Sequence, residues 1–249
     1  VYPDIIGAYE KFRFSTKDLP ESQFLYGEQA PEPLLVTENG VQFATYLNEG
    51  LMTGIFLDQK EVRGRLVDGF AVGKTVLNMF SYTGAFSVAA AMGGAVATTS
   101  VDLAKRSLPK TTEQFEVNHL NLAAQKIIVM DVFDYFKYAS RKGLSYDMII
   151  LDPPSFARNK KKVFSVAKNY GELVKDSIDI LTDKGTLIAS TNAANLSLAK
   201  YQKMVITALQ EKNVRYKITD TYQLPADFQV NPNFPEGDYL KVLFIEIEK

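Results

Sequence analysis

The sequence contains no cysteine and a single histidine, His119, among its 249 residues. Without cysteine the chain cannot form a disulfide, bind a metal through thiolates or use a cysteine nucleophile. One histidine also excludes a site built from several histidines, so we predict that the protein binds no metal. A cytoplasmic location is the simplest expectation for a chain without cysteine.

Two other features are missing, a long apolar run and an excess of one charge. No stretch reaches the roughly 18–20 apolar residues of a membrane-spanning helix and no signal peptide opens the chain, so we expect no membrane association. Lys and Arg total 28 against 29 Asp and Glu, which gives a net charge of −1. Nucleic-acid-binding domains usually have a basic surface. Any RNA contact must therefore come from a local patch or from another module.

The N-terminal part of the sequence is typical of β structure. Asn39-Gly40 separates the strand-like runs Leu34–Val36 and Val41–Tyr46. This dipeptide predicts a hairpin because both residues tolerate positive φ. Gly54–Leu57 reads as another short strand, and Leu19–Pro33, which holds three prolines, reads as a loop.

A helix is expected directly after these strands. Asp58 is followed three positions later by Glu61, the spacing of a capping box. We predict that this helix runs through Val67.

From Lys74 onward, short apolar runs alternate with amphipathic helical stretches. The runs are Thr75–Phe80, Val96–Val101, Lys126–Met130, Met148–Leu151, Gly185–Thr191, Arg215–Tyr222 and Leu240–Ile247. The helices between them are predicted to begin near Gly84, Leu103, Val132, Lys162 and Leu196. This alternation predicts a parallel sheet with right-handed crossovers. The last two runs are joined by a loop rich in Pro and Asn, which predicts a final antiparallel strand inserted into the sheet.

Seven strands with such an ending predict the Rossmann-like α/β fold of class I methyltransferases. The six-stranded dinucleotide-binding fold lacks the antiparallel insertion. We predict two domains, a small β-rich domain over residues 1–57 that contains the hairpin and a methyltransferase domain over residues 58–249.

The ligand of such a sheet lies beyond the carboxyl ends of its strands. The first strand leads into a turn at Gly84, where backbone could approach the methionine part of S-adenosylmethionine and the next helix offers N–H groups to its carboxylate. A glycine in a strand–helix turn is also ordinary. Asp102 ends the second strand and can accept both ribose hydroxyl protons. Asp131 ends the third strand and can accept the adenine amino group, with Val132 beside it. For each aspartate the alternative is a helix cap.

The most specific motif follows the fourth strand, Asp152-Pro153-Pro154-Ser155-Phe156. Two prolines fix the backbone there, so that a carboxylate or carbonyl can accept a hydrogen bond from the nitrogen being methylated. Phe156 can stack on a flat base. The alternative is a plain strand-ending turn with Phe156 in the core.

Methyl transfer from a sulfonium needs alignment and exclusion of water more than acid–base power. The lack of a catalytic His or Cys therefore permits transfer to nitrogen or oxygen. It argues against transfer to carbon 5 of a pyrimidine through a cysteine adduct. A basic run follows the motif and could hold nucleic-acid phosphates, although such runs are often solvated loops. Its residues are Arg158, Lys160, Lys161 and Lys162.

Together these motifs resemble the large-subunit ribosomal RNA methyltransferase I/K-like family over nearly the whole chain. The matching segments are Phe56–Gln59 with Arg63, Asn78–Phe80 with Tyr82–Gly84, Asp152–Phe156 and Phe234–Lys241. The hairpin, with Gly27-Glu28 ahead of it, looks like the small central β domain of that family. Members usually carry an N-terminal PUA RNA-binding module, which is expected to be absent here or cut away.

The resemblance implies which residues bind the cofactor and the substrate. The cofactor set is Phe80, Ser81, Tyr82, Thr83, Gly84, Ala85, Asp102, Leu103, Asp131, Val132 and Asp152. Asp58, Gln59 and Arg63 would lie over the active site, where Arg63 pairs with the cofactor carboxylate or an RNA phosphate. The alternative is a capped helix with a surface arginine.

The sequence departs from the cytosine-5 members of this family. Ser190–Asn195 stands where those members carry a cysteine motif, and Ser81 stands where the family usually has cysteine. The resemblance therefore does not extend to the formation of 5-methylcytosine. The guanine-N7 branch has a polar Ser-Asn-Asn sequence at the corresponding place, which is loosely closer. Asn192 or Asn195 would then contact the base edge, or simply cap the following helix.

The leading hypothesis is methylation of a base of RNA, in the ribosome, by direct attack of a ring or amino nitrogen. A methyltransferase acting on DNA, protein or a small molecule is the first alternative. A nicotinamide-dependent oxidoreductase would also use Gly84 and Asp102, but the antiparallel last strand and the diproline turn oppose it. A third alternative is a non-catalytic RNA-binding relative. The oligomeric state is open, a homodimer included.

Overall fold

The computed structural model describes residues 4–12, 14, 20–51, 53–159 and 162–249. Two antiparallel strand pairs come first: β1 (Gly7–Lys11) with β2 (Ser22–Gly27), and β3 (Leu34–Glu38) with β4 (Val41–Thr45). The second pair confirms the predicted hairpin, and its turn residues Asn39 and Gly40 have φ values of 52° and 76°. The loop predicted over Leu19–Pro33 is wrong in its middle, because β1 supplies the pairing partner that makes β2 a strand.

The β3–β4 hairpin packs directly on the helical layer that follows. Val41 and Phe43 are buried against Phe115. The side-chain amide of Gln114 pairs with the backbone of Ala44, accepting from its N–H at 2.8 Å and donating to its carbonyl at 2.7 Å. Gln114 thus takes the place of a neighbouring strand at this position.

The segment after the hairpin differs from its prediction. Gly54–Leu57 is not a strand; Leu57–Gln59 forms a 3₁₀ turn that leads into α1 (Lys60–Arg65). Asp58 lies inside this turn and caps no helix, since the N-cap positions are Phe56 and Gln59 and neither makes a side-chain cap. The helical path continues through Leu66–Phe70 and breaks at Gly69, whose φ is 96°.

The remaining chain alternates strands and helices, as predicted. In chain order these are β5 (Thr75–Met79), α2 (Ala85–Met92), β6 (Ala97–Asp102), α3 (Ser107–Glu116), β7 (Gln125–Val129), α4 (Val132–Arg141), β8 (Tyr146–Leu151), β9 (Phe156–Asn159), β10 (Lys162–Ser165), α5 (Val166–Ile180), β11 (Leu181–Thr191), α6 (Leu198–Glu211), β12 (Arg215–Tyr222) and β13 (Lys241–Glu248). Short 3₁₀ turns lie at Leu122–Ala124 and Pro235–Gly237.

Seven strands form one sheet in the order β12-β13-β11-β8-β5-β6-β7. The pairs among β11, β8, β5, β6 and β7 are parallel, and β13 runs antiparallel to both β11 and β12. This confirms the predicted α/β fold with an inserted antiparallel last strand. Two helix starts shift: α3 begins at Ser107 rather than near Leu103, and α5 begins at Val166 because the short β9–β10 hairpin occupies the region around Lys162.

The sheet is buried on both faces, as β8 shows. Its side chains alternate, with Met148 and Ile150 in one apolar cluster and Ile149 and Leu151 in the other. All four are fully buried, and each buried aliphatic side chain of this size contributes about 1.5–3 kcal/mol. The result is a rigid sheet whose parallel strands end along one edge, where the loops that follow them meet.

Within the described ranges, no helix combines the length and the apolar composition that crossing a membrane requires. The same residues contain no cluster of three or more His, Asp or Glu side chains arranged to hold a metal ion.

Candidate active site

A cavity of about 540 Å³ opens at the edge where the parallel strands end. Its walls come from the loops after β5, β6, β7, β8 and β11 and from the segment around the first 3₁₀ turn. The predicted site residues that line it are Asp58, Gln59, Arg63, Phe80, Ser81, Tyr82, Thr83, Ala85, Asp102, Leu103, Asp131, Val132, Asp152, Pro153, Pro154 and Asn192. The three aspartates predicted at separate strand ends, Asp102, Asp131 and Asp152, therefore share one cavity.

Other predicted residues lie outside this lining. Gly84, Ser155 and Phe156 do not line the cavity. Lys160 and Lys161 lie outside the described residues, while Arg158 belongs to β9 and Lys162 to β10. The phosphate-binding role of this basic run remains a prediction.

The loop after β5 is tightly wound. Phe80, Tyr82 and Gly84 have φ values of 59°, 51° and 81°. Left-handed conformations of non-glycine residues cost of order 1–3 kcal/mol and persist only when the surroundings impose them. Gly84 is required for a reason that the sequence did not indicate. A Cβ there would lie 2.5 Å from Thr111 Cγ2 on α3, so the missing side chain makes room for that helix.

The hydroxyls of Tyr82 and Thr83 hold the segment on the far side of the cavity. The Gly54 N–H donates to Tyr82 Oη at 3.0 Å, and Thr83 Oγ1 donates to the Gly54 carbonyl at 2.6 Å. The Phe56 ring packs on the Tyr82 ring at 5.5 Å. These contacts fix Gly54–Phe56 as a wall of the cavity, and burial raises the pKa of Tyr82.

Asp102 joins the tips of two strands. Its Oδ2 accepts from the Tyr82 N–H at 2.9 Å, and its Oδ1 accepts from the Ala104 N–H at 2.8 Å. The alternative that Asp102 caps the next helix is wrong, because the N-cap residue of α3 is Arg106. An ionised carboxylate offers about four acceptor sites, so each oxygen keeps accepting capacity where the residue lines the cavity.

Asp131 is both a helix cap and part of the cavity wall, which were considered as alternatives. It is the N-cap of α4, and its Oδ1 accepts from the N–H groups of Phe133 at 3.0 Å and Asp134 at 3.4 Å. It also lines the cavity. The cap therefore fixes the direction of the carboxylate at the cavity wall.

An apolar wall stands between these two aspartates. Leu103 lines the cavity and is 53% exposed. Phe164 on β10 is buried and packs against Phe80 and Phe133, with ring centroids 6.0 and 6.1 Å apart. Phe133 and Phe164 were not predicted. Phe164 follows a basic run with no strand pattern, so only the β9–β10 hairpin reveals its place.

Asp152 directly follows β8 and lines the cavity. Its pKa is raised to about 6, chiefly because burial disfavours the charged form. Hydrogen bonds from Ser190 and Gln59 and the positive charge of Arg63 act the other way, whereas the nearby Asp58 raises the pKa further. The carboxyl is thus poised to exchange a proton near neutral pH.

One hydrogen bond joins the rest of the diproline motif to a neighbouring loop. Ser155 Oγ donates to Asn192 Oδ1 at 2.6 Å, which ties the motif to the loop after β11. Phe156 is 61% exposed, so the alternative that places it in the core is wrong. Asn192 caps no helix, because the N-cap of α6 is Ser197.

The structure contradicts part of the prediction made for Arg63. It is only 2% exposed, which excludes a surface arginine. Its Nε and Nη2 donate to the two carboxylate oxygens of Glu38 at 2.7 and 2.8 Å, and Nη2 also donates to the Phe56 carbonyl at 2.7 Å. The carboxylate that Arg63 binds is therefore an internal one. Glu38 was missed, because its partner lies 25 positions away in the sequence.

Asp58 is a second carboxyl in the cavity with a raised pKa. Its side chain accepts a hydrogen bond from Tyr239, and burial raises its pKa. Its Oδ1 is buried and has no hydrogen-bond partner among the described residues. A buried acceptor without a partner is costly, which makes this oxygen a candidate acceptor for a ligand.

Two buried tyrosines support the floor beneath Asp152. Tyr201 Oη donates to Tyr170 Oη at 2.7 Å, and Tyr170 Oη donates to the Ser190 carbonyl at 2.8 Å. These two hydrogen bonds fix the backbone of Ser190, whose side chain donates to Asp152. Neither tyrosine was predicted, since both lie on helix faces that look like ordinary core positions.

Residues 11–229 match the family model described as S-adenosylmethionine-dependent methyltransferase. The chain belongs to that methyltransferase family. The matched range covers most of the chain and includes the residues that line the cavity.

Several relatives of this methyltransferase are named for ribosomal RNA. It is 53% identical over 245 residues to a Bacillus subtilis (strain 168) protein, YwbD, provisionally named a ribosomal RNA large subunit methyltransferase; the match covers 98% of this chain and 62% of that protein. It is 34% identical over 224 residues to ribosomal RNA large subunit methyltransferase I of Yersinia pseudotuberculosis (serotype O:1b, strain IP 31758), covering 90% of this chain and 56% of the relative. The chain thus spans only part of the length of these relatives.

A solved structure shows the same fold at similar identity. That crystal structure, provisionally described as a methyltransferase complexed with SAH, superposes with a TM-score of 0.92 at 54% sequence identity. The superposition covers 98% of this methyltransferase and 62% of the other chain.

The cavity of this methyltransferase fits the family's cofactor. Its volume of about 540 Å³ lies within the roughly 300–1,000 Å³ range of small-molecule sites. It offers a carboxylate at Asp102 for a pair of hydroxyls and an apolar wall at Leu103 and Val132 for a flat ring. The Oδ1 of Asp58 adds an acceptor without a partner among the described residues.

Proposed function

We propose that this chain transfers a methyl group from S-adenosylmethionine to a nitrogen of a base in large-subunit ribosomal RNA. One observation carries the proposal: Asp102, Asp131 and the diproline motif at Asp152 line a single cavity. The names of the relatives support ribosomal RNA as the substrate class.

The half of the cavity with Asp102 and Asp131 is assigned to the cofactor. Asp102 accepts the ribose hydroxyls, and Asp131 with Val132 binds the adenine edge. The wound turn Phe80–Ala85 presents backbone N–H groups at the start of α2 to the methionine carboxylate, where the positive end of the helix favours an anion. Because Arg63 is already paired with Glu38, it acts by shaping this wall rather than by binding an anion.

The half with Asp152 is assigned to the acceptor base. Pro153 and Pro154 restrict the backbone, so Asp152 holds a fixed position against a base N–H. The exposed Phe156 stacks on a base at the entrance. Asn192, whose oxygen is held by Ser155, turns its amide N–H groups to the base edge, and Asp58 and Gln59 close the cavity from above.

The cofactor, when bound, supplies an already activated methyl group on its sulfonium. The residues of the chain then have three tasks: to align the acceptor nitrogen, to exclude water and to receive the proton that the nitrogen loses. Asp152 fits the last task because its pKa is about 6. The sequence contains no cysteine, so the cysteine-adduct route to carbon 5 of a pyrimidine is closed to it.

We retain the division into a β-rich domain over residues 1–57 and a methyltransferase domain over residues 58–249 as part of this proposal. The contact between Gln114 and Ala44 supports a fixed docking of the hairpin on the larger domain.

The direct test uses ribosomal RNA from a strain that lacks the gene, the full-length protein and labelled S-adenosylmethionine. We expect label on a base nitrogen of large-subunit RNA, located by mass spectrometry of nuclease fragments. The Asp152→Asn protein is the matched control. Label only in DNA, protein or small molecules, or no transfer at all, would overturn the proposal.

A further inference from the structure

Lys241, the first residue of β13, is a buried lysine whose hydrogen bonds among the described residues all go to backbone carbonyls. It is 4% exposed. Its Nζ donates to the carbonyls of Tyr239 at 2.9 Å, Asp238 at 3.3 Å and Ala193 at 3.3 Å. Burial lowers the pKa of this ammonium, which reflects the cost of removing a cation from water.

No described carboxylate forms an ion pair with Lys241. The negative charge of Asp238 offsets only part of the burial cost, and the Asp238 carboxylate accepts a hydrogen bond from Gln223 at 3.2 Å. Buried charges are weak sources of stability, and apolar side chains of similar volume often replace them without loss. A role beyond stability is therefore needed to explain the ammonium.

The three carbonyls belong to two loops, one after β11 and one before β13. Ala193 follows Asn192, which lines the cavity and accepts the Ser155 hydroxyl. Tyr239 donates to Asp58, the carboxyl with an unsatisfied oxygen in the cavity. The Lys241 ammonium thus links the loop that carries Asn192 to the loop whose Tyr239 donates to Asp58.

The cofactor half is held by other contacts. Asp102 is fixed by the N–H groups of Tyr82 and Ala104, and Asp131 by that of Phe133. None of these involves the loops that Lys241 joins. Loss of the ammonium should therefore loosen one half of the cavity and leave the other intact.

We propose that Lys241 is a positioning residue, whose ammonium pins the 192–193 and 238–239 loops together and so aligns Asn192 and Asp58 against the acceptor base. The alignment of a base rests on the proposed function. The pinning of the two loops does not, and it can be measured without RNA.

The test compares Lys241→Met, which removes the donors at similar volume, with Lys241→Arg, which keeps a cation and its donors. The control is Lys249→Met. Lys249 lies just beyond the other end of β13 and also donates to a backbone carbonyl, that of Leu181. Amide hydrogen exchange by mass spectrometry, calorimetric titration with S-adenosylmethionine and turnover on ribosomal RNA are measured for each protein.

We expect Lys241→Met to accelerate exchange over residues 192–196 and 236–240, while the Kd for S-adenosylmethionine stays within about twofold. Turnover should fall at least about tenfold, since a misplacement of about 1 Å can cost a hundredfold. Lys241→Arg should recover part of both effects, and Lys249→Met should show neither.

Unchanged exchange in the two loops would overturn the pinning. Faster exchange with unchanged turnover, or an equal loss of cofactor affinity and turnover, would overturn the positioning role. If Lys241→Met fails to fold, the Lys241→Arg protein decides: faster exchange in the two loops with reduced turnover and an unchanged Kd for S-adenosylmethionine supports the proposal, and faster exchange with full turnover contradicts it. If the wild-type protein transfers no methyl group to ribosomal RNA, the substrate proposal fails, while the exchange data still decide whether Lys241 pins the loops.

Discussion

The carboxylate of Asp102 accepts a hydrogen bond from the backbone N–H of Tyr82 at 2.9 Å. This contact joins the tip of β6 to the wound turn after β5. The turn and the carboxylate that we propose to bind the ribose are therefore one unit. A change at Asp102 acts on both.

Asp102→Ala should weaken cofactor binding. Hydrogen bonds to a charged group contribute about 1.5–3 kcal/mol, so the Kd for S-adenosylmethionine should rise roughly 10- to 100-fold. Calorimetric titration measures it, with Asp134→Ala, an exposed aspartate in the first turn of α4, as control. A parallel titration with NAD should show no binding; a wild-type protein that bound NAD alone would contradict the cofactor assignment.

Asp152→Asn should abolish most turnover on RNA and leave the Kd for S-adenosylmethionine nearly unchanged. In the wild type the ionised carboxyl is the active form. With a pKa of about 6, turnover should rise as the pH increases through about 6 and level off above 7. Single-turnover rates from pH 5 to 8 measure this profile. A variant as active as the wild type would remove Asp152 from the mechanism.

Gly54→Ala should damage the wall that Tyr82 and Thr83 hold. The φ of Gly54 is 112°, and an added Cβ would lie 2.8 Å from the Ala44 carbonyl oxygen. We expect a loss of about 1–3 kcal/mol in the free energy of unfolding and weaker cofactor binding. Gly73→Ala is the control, because its φ is 72° but the space around it is open. It should cost about 1 kcal/mol and leave cofactor binding unchanged. Equal effects at both positions would mean that backbone strain alone is involved.

Arg63→Met should leave the Glu38 carboxylate without its ion-pair partner. The side chains of the pair are 2% and 10% exposed, and breaking a buried ion pair costs about 3–5 kcal/mol. Urea unfolding measures the loss. Glu38→Gln combined with Arg63→Met should recover part of it. Arg215→Met breaks the exposed pair with Glu248, whose members are 80% and 44% exposed, and should cost under about 1 kcal/mol.

Replacement of Lys160, Lys161 and Lys162 by alanine should weaken RNA binding and flatten its dependence on salt. Each phosphate contact that is lost reduces the slope of log K against log salt by nearly one. Filter binding at several salt concentrations measures the slope. An unchanged affinity and slope would show that the run is a solvated loop.

The sequence predicted that residues at strand ends lie together, and it did not predict contacts with distant partners. Asp102 ends β6, and Asp131 and Asp152 come shortly after β7 and β8; strand ends are visible in apolar runs, and all three aspartates line one cavity. The ion pair of Arg63 with Glu38 was missed, because nothing near Arg63 in the sequence points to Glu38. The close contact of Gly84 with Thr111 on the next helix was missed for the same reason.

The amino-acid sequence by itself determined the alternation of strands and helices, the Asn39-Gly40 turn and the aspartates at the strand ends. These depend on local periodicity and on backbone preferences of single residues. Only the tertiary structure decided the partners of Arg63, Asp58 and Lys241. Hydrogen-bond acceptors for a buried charge come from segments far apart in the chain, and many equivalent acceptors exist until packing brings one set within reach.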